Sequence, residues 1–441
     1  MNKSNKTNNK IVKRGNLWLI LSKFRFNLTL LMTASTWLIV FLLILCFGFF
    51  FEKFLEFINL KNWKKDIPDQ MKEYYSENKY NESRMYQIEK GRISFIQSLV
   101  SFSLTFLAIF LGWFGYLDQI ILGFTQDSFL RAGVFFLCLF FVGELVSLPF
   151  SLYNTFVIEQ KFGFNKTTTK TFLLDKLKSY LLMFSVGGGL LYLTIITIEW
   201  VQHGYWIYLW VGLTVFMLSI NMFYADLILP LFNKLTPIED GGLKSKISEF
   251  STKVGYSLKN IYVIDGSKRS TKANAFFSGI GPRKTIALYD TLIEKHTDEE
   301  LVAVLAHEIG HFKRKHILVS LFLSVIQTGI TLFLFEYFLN QPNISIAFGA
   351  DNSSFHIGMI AFGIIFSPLG IVIGVAMNVL SRKNEFEADH YAKENYSATY
   401  LSTALKKLSA DSLSNLYPHK AYVFVHYSHP PILKRLEKLK N

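Results

Sequence analysis

The sequence predicts a mainly α-helical, polytopic membrane protein with about seven spanning helices, and three observations lead there. The 441 residues are 51% hydrophobic, 43 of them are Phe, and only 18% are charged, against about 25% in ordinary soluble domains. Seven stretches have the roughly 20 apolar residues a helix needs to cross about 30 Å of hydrocarbon. Basic residues crowd alternate loops between those stretches and avoid the others, as the positive-inside rule requires.

The spans are expected at about 29–51, 93–115, 129–152, 179–201, 205–227, 317–339 and 357–380. The third contains Glu144, and the fifth Asn221 and Asp226. A charge at bilayer depth costs about 2.5–3.5 kcal/mol, so such residues face a bundle interior or wet cavity, or sit near an interface. Loop 52–92 holds nine Lys and Arg and loop 153–178 holds five, whereas 116–128, 202–204 and 340–356 hold none. This puts 52–92, 153–178, 228–316 and 381–441 together in the cytoplasm. It also puts the first 28 residues outside although seven of them are Lys or Arg, against the rule. The Asn/Lys-rich first ten residues are expected to be disordered. No cleavable signal peptide is expected, because the first apolar run is too long for one.

The net charge of +13 raises the question of nucleic acid. The basic residues flank apolar stretches, where anionic lipid accounts for them, so membrane lipid is the expected partner and nucleic acid is not. Cys46 and Cys138 lie inside apolar runs and read as small buried hydrophobes rather than a disulfide or metal pair. The chain therefore divides into a basic tail (1–28), spans one to five with their loops (29–227), and a region 228–441 that contains spans six and seven and the chemistry.

That chemistry starts at Leu305-Ala306-His307-Glu308-Ile309-Gly310-His311, an H-E-x-x-H sequence. On a helix, His307 and His311 project from one face and can meet one ion, while Glu308 can reach a water there without ligating. The helix is independently indicated: Thr297-Asp298-Glu299-Glu300 reads as a capping box, and Leu301, Val304, Leu305 and Ile309 follow at helical spacing. It is expected to run on into the sixth span. A catalytic zinc takes three protein ligands and keeps one open position. The best candidate for the third is Glu385, in Asn384-Glu385-Phe386-Glu387-Ala388-Asp389. Glu385 and Asp389 are again four apart, so one carboxylate can bind the metal while the other hydrogen-bonds a ligand histidine from behind. Alone, E-x-x-x-D usually marks a solvated face; its meaning here comes from the H-E-x-x-H. Glu387 points elsewhere and reads as a surface charge, and His203, His296 and His419 read as interfacial or surface residues.

The two motifs together resemble the CAAX prenyl protease type 1 family, membrane zinc endopeptidases that process farnesylated proteins. The likeness covers most of the chain. It includes Glu159-Gln160-Lys161-Phe162-Gly163-Phe164-Asn165-Lys166, Pro230-Leu231-Phe232-Asn233-Lys234-Leu235-Thr236-Pro237, Gly266-Ser267-Lys268-Arg269-Ser270, Asn274-Ala275-Phe276-Phe277-Ser278-Gly279 and His426-Tyr427-Ser428-His429-Pro430-Pro431 with Arg435-Leu436. The resemblance implies seven helices around a water-filled chamber, closed at its cytoplasmic end by a zincin-like metalloprotease lobe. It implies His307, His311 and Glu385 as ligands of one Zn²⁺ and Glu308 as general base. His429 matches a histidine that stabilises the tetrahedral intermediate, and Arg435 a nearby basic helper. Asn274, Ala275 and Phe276 match an edge strand that pairs with substrate backbone. From the residues alone, Asn274 reads as a turn residue and His429 as a helix-start histidine. Turn formers in 267–279 and a short strand at 285–289 do suggest a small β-hairpin with a free edge.

The expected function is thus a zinc-dependent membrane endopeptidase acting on peptides or prenylated CAAX-type proteins, working as a monomer. The alternative within the same chemistry is a quality-control protease with no prenyl requirement. A transporter or channel, the remote alternative, leaves H-E-x-x-H unexplained and lacks paired broken helices. The chain lacks the long loop of the animal members, and its Asn/Lys-rich wording favours a bacterial cytoplasmic membrane; in a eukaryote the endoplasmic reticulum would be expected. In either, the active site faces the cytoplasm.

Overall fold

The computed structural model describes residues 33–256, 260–278 and 285–441. The basic tail, the first residues of span one and the predicted hairpin's tip lie outside the described residues.

Among the described residues, seven helices are long and apolar enough to cross a membrane: α1 (Ala34–Lys61), α2 (Glu77–Phe110), α4 (Ser128–Glu159), α5 (Thr169–Val201), α6 (Tyr205–Phe232), α10 (His316–Leu339) and α12 (Phe355–Asn395). Between them lie the shorter α3 (Trp113–Leu122), α7 (Gly242–Lys253), α8 (Asp290–Lys295), α9 (Asp298–Lys313) and α11 (Pro342–Ile346). After α12 come α13 (Ala398–Asp411), α14 (Lys420–His426) and α15 (Ile432–Lys440). The spans occur in the expected order, but several reach further. The second begins 16 residues early and ends at Phe110, and Gly112, with a φ of +67°, caps the start of a separate helix, α3. The seventh runs unbroken for 41 residues through the E-x-x-x-D motif.

One expectation is overturned. The H-E-x-x-H helix does not continue into the sixth span. It is capped at Arg314, Lys315 turns into the left-handed region at φ +60°, and α10 starts afresh at His316.

The chain forms two compact units, each assembled from separate stretches. One comprises the described residues up to Gly48 with Phe102–Leu137 and Leu334–Ser367. Its interior is aromatic: Phe41 and Phe114 both pack on Phe348, and Phe135 on Phe114. Gly115 lets α3 press on the turn after α11, since a Cβ there would lie 1.9 Å from the Gly349 carbonyl carbon.

The other unit comprises Phe49–Ser101, Cys138–Phe333 and Pro368–Asn441. It contains a four-stranded sheet of order β1-β2-β4-β3, with β1 Leu235–Pro237, β2 Asn260–Ile264, β3 Ala275–Ser278 and β4 Thr285–Tyr289. The predicted hairpin is present as antiparallel β3 and β4, with Ala275 opposite Leu288. It extends further than expected, because β2 joins β4 in parallel and β1 adds an antiparallel edge. Ile286 and Leu288 of β4 pack with Leu301, Val302, Leu305 and Ile309 of α9, Ile247 and Phe250 of α7, Leu401 of α13 and Leu439 of α15. This core fixes α9 from its apolar side and leaves its histidine face free.

Within this unit Glu144 pairs with Lys176 of the next span, which answers the cost of a charge at that depth. Cys46 and Cys138 are unpaired, as expected, but only half-buried. His296 is a correction: it is buried, its Nδ1 3.0 Å from the Leu292 carbonyl oxygen, because α8 and α13 fold over it.

Candidate active site

The capping box that starts α9 forms as predicted: Thr297 Oγ1 accepts from Glu300 N, and Glu300 accepts from Thr297 N. Two turns later His307 and His311 share one face, with their Nε2 atoms 3.2 Å apart. Glu385, 3% exposed, comes to them from α12. Its Oε1 lies 3.3 Å from His311 Nε2 and its Oε2 3.5 Å from His307 Nε2. Gly310 and Ala388 make this approach possible, since a Cβ on Gly310 would lie 3.1 Å from the Ala388 Cα.

The three side chains form a group able to hold a metal ion. Two lone-pair nitrogens and a carboxylate converge on one point. Glu385 Oε2 is buried and receives no hydrogen bond, although Arg435 Nη1 is 3.2 Å away. A buried carboxylate that reaches both imidazoles, one oxygen to each, and has one oxygen without a hydrogen bond is suited to sharing a cation with them.

The surroundings fix the ring orientations. His307 Nδ1 donates to Asp389 Oδ1 at 2.9 Å, which leaves Nε2 free to ligate. Asp389 is in turn held by Arg435 through a two-pronged contact, Nε to Oδ2 at 2.8 Å and Nη2 to Oδ1 at 2.6 Å. Arg435 is itself buried, on α15. Burial works against its charge, but Asp389 and Glu385 more than offset it. His429, in the turn before α15, is 66% exposed and reaches Glu385 Oε1 at 3.0 Å. That hydrogen bond raises its pKa above the ordinary imidazole value.

Glu308, Glu385, His311 and His429 line a pocket of about 760 Å³. Phe216, Met217, Ile220 and Tyr224 of α6 and Ile317 of α10 give it an apolar wall. Asn221 adds an amide to that wall, and Ala275 and Phe276 of β3 complete the lining. Burial, with a contribution from the Glu308 charge, pushes the Tyr256 hydroxyl up to about 12, so it stays protonated beside the carboxylate. Asn274 stands just before β3, where its Oδ1 accepts from Ala275 N and its carbonyl from Tyr289 N.

All ten residues singled out from the sequence therefore lie at or beside one pocket. Sequence reasoning missed Tyr256, which carries no motif, and misjudged Glu387. That side chain is 40% exposed, yet its Oε2 lies 3.1 Å from His316 Nε2. The error follows from the overturned helix: with α9 running on, His316 would have left the histidine face.

Comparison with known proteins agrees with this geometry. Residues 56–234 match the family described as CAAX prenyl protease N-terminal, five membrane helices. Residues 237–441 match peptidase family M48. CAAX prenyl protease 1 homolog of Mus musculus is 33% identical over 428 residues, covering 85% of this chain and 89% of that protein. CAAX prenyl protease 1 of Saccharomyces cerevisiae is 36% identical over 314 residues, covering 68% of this chain and 69% of its own. The crystal structure of S. mikatae Ste24p superposes with a TM-score of 0.87 at 30% identity, over 92% of this chain and 99% of that one. The protein is a multi-pass membrane metalloendopeptidase and belongs to the CAAX prenyl protease type 1 branch of peptidase family M48.

Proposed function

We propose that the chain is a zinc endopeptidase that cleaves prenylated CAAX-type proteins or peptides, with its active site on the cytoplasmic side and a single copy sufficient. The observation that best supports zinc is the donor set. The two imidazole Nε2 atoms are 3.2 Å apart and each has a Glu385 oxygen nearby, Oε1 at 3.3 Å from His311 and Oε2 at 3.5 Å from His307, separations of the size found between donors that share one zinc at bonds of about 2.0–2.1 Å. His307, His311 and Glu385 would hold the ion. When bound there, it supplies a Lewis acid and makes hydroxide available near pH 7.

The chain's residues do the rest. Glu308 takes the proton from the attacking water and delivers it to the leaving amine, so one carboxylate serves both halves of the reaction. His429, exposed toward the pocket and held as a donor, stabilises the oxyanion as it develops. Asp389 and Arg435 act behind the ligands, keeping His307 in one tautomer and Glu385 in place. The free edge of β3, at Asn274, Ala275 and Phe276, holds an extended substrate backbone. The apolar wall from α6 beside these polar groups suits a substrate that carries both a peptide and a lipid. The functional division follows the chain: 29–227 carries spans one to five, and 228–441 carries the protease together with spans six and seven.

The test is cleavage of two peptides by the purified protein and by Glu308→Gln. One peptide is farnesylated at a C-terminal CAAX cysteine, the other unmodified. Zinc-dependent cutting of the farnesylated peptide alone is expected, with turnover lost in Glu308→Gln while zinc is retained. Substantial proteolysis by Glu308→Gln sinks the assignment of Glu308. Equal cutting of both peptides removes the prenyl requirement.

A further inference from the structure

His307 and His311 are not supported alike. Behind His307 stands a carboxylate, Asp389, in direct contact with Nδ1. The Nδ1 of His311 instead meets an imidazole: His316 Nδ1 at 3.1 Å. His316 is 6% exposed, and its other nitrogen meets Glu387 Oε2 at 3.1 Å. We infer that His316 and Glu387 are positioning residues for the metal, a two-step hydrogen-bond chain that does for His311 what Asp389 does directly for His307. This rests on the zinc reading of the site.

The argument is one of donors and acceptors. If His311 ligates through Nε2, its neutral ring carries the proton on Nδ1 and must donate from there. His316 Nδ1 can accept only if its own proton is on Nε2. A proton on Nε2 of a buried ring needs an acceptor, and Glu387 Oε2 is the atom within reach. Each group has one role that satisfies both neighbours, so the chain runs one way: His311 to His316 to Glu387. It fixes two tautomers and two ring planes with no group left over.

The backbone makes this geometry. On an uninterrupted helix a residue five after His311 would sit about 140° away around the axis, given 3.6 residues per turn. The left-handed turn at Lys315 breaks the helix and brings His316 back under His311. Glu387 lies two residues after Glu385 and two before Asp389, so α12 provides a ligand and the support for both histidines within five residues.

The experiment measures zinc affinity of the full-length protein in detergent by chelator competition, with the melting temperature of the zinc-free form. Histidine-supporting groups of this kind contribute 10–100-fold to metal affinity, so His316→Phe is expected to bind zinc 10–100-fold more weakly. Should that variant fail to fold, the exposed partner decides. Glu387→Ala is expected to weaken zinc binding several-fold without changing the zinc-free melting temperature. Glu387→Gln is expected to restore it, because the amide oxygen accepts the same hydrogen bond while the charge and its contact with Lys383 are lost. The inference fails if Glu387→Ala holds zinc as tightly as the unsubstituted protein, or if Glu387→Gln loses as much as Glu387→Ala. A wild-type protein that binds no zinc would instead overturn the site assignment on which the inference rests.

Discussion

At the scale of single residues, the same trio of side chains occurs twice. Arg435, Asp389 and His307 form one instance beside the metal group. Arg131, Asp118 and His356 form the other, in the aromatic unit. In the second, Asp118 is 3% exposed, accepts Arg131 Nε at 2.7 Å and Nη2 at 2.6 Å, and lies 2.7 Å from His356 Nε2. Burial alone would push the carboxyl up, but the hydrogen bonds from His356 and Arg131 and their charges bring it down to about 2. The sign follows. A carboxylate with a folded pKa below its unfolded value of 3.8 stabilises the fold above that value and loses the contribution as pH falls toward 2. The melting temperature in detergent is therefore expected to drop between pH 4 and about 2. Asp118→Asn should cost about 1–3 kcal/mol at neutral pH, the range for a buried group left with an imperfect partner. It should also flatten the acid dependence. An unchanged acid profile in Asp118→Asn would assign that dependence to other carboxylates.

At the scale of elements, the site depends on how closely α9 and α12 approach. Gly310 sits at the crossing, where a Cβ would lie 3.0 Å from Tyr391 Cβ and 3.1 Å from Ala388 Cα. Two effects compete in Gly310→Ala. Helix propensity favours alanine by about 1 kcal/mol, whereas overpacking against a neighbour costs about 1–3 kcal/mol. Backbone cannot rotate away as a flexible side chain can, so overpacking is expected to win. Gly310→Ala should lower the melting temperature and weaken zinc binding by moving Glu385 from the histidines. A variant that melts higher with unchanged zinc affinity would show that the crossing has slack. The sequence announced much of this: H-E-x-x-H, E-x-x-x-D and the capping box are local patterns whose geometry is set by helical spacing alone. What stayed hidden was non-local or atypical. Nothing about Lys315 marks it for a left-handed conformation, as a Gly or Asn would, so the helix break was invisible. With it went the partnership of His316 and Glu387. The β2 and β4 pairing is parallel and non-adjacent in sequence, so the hairpin was legible and the four-stranded sheet was not.

At the scale of the whole chain, the polar segments after alternate spans gather together, and contacts show this independently of charge counts. Asn62 donates to the Tyr417 carbonyl at 2.9 Å, and the Tyr75 hydroxyl to that of Ser409 at 2.9 Å. Lys166 N donates to the Arg269 carbonyl at 3.0 Å. The segments after the first and seventh spans are thus in contact, as are those after the third and fifth, and Lys295 pairs with Asp411 at 3.6 Å to join the fifth to the seventh; two spans separate each segment from the next, as same-sidedness requires. Contacts are blind to which side that is, and the charge asymmetry supplies the expectation. Fourteen Lys and Arg, nine and five, lie in loops 52–92 and 153–178, against none in 116–128, 202–204 and 340–356. The positive-inside rule is the ground of our proposal that the metal group faces the cytoplasm. Single cysteines in a Cys46→Ser, Cys138→Ser background test this in intact cells with a membrane-impermeant thiol reagent. Asn352→Cys, in the loop between the last two spans, should label directly. Lys434→Cys, on the exposed face of α15, should label only after permeabilisation. The reverse pattern would turn the protease outward. Its substrates would then have to be extracellular or lumenal chains, and the basic loops would need another cause than the positive-inside rule.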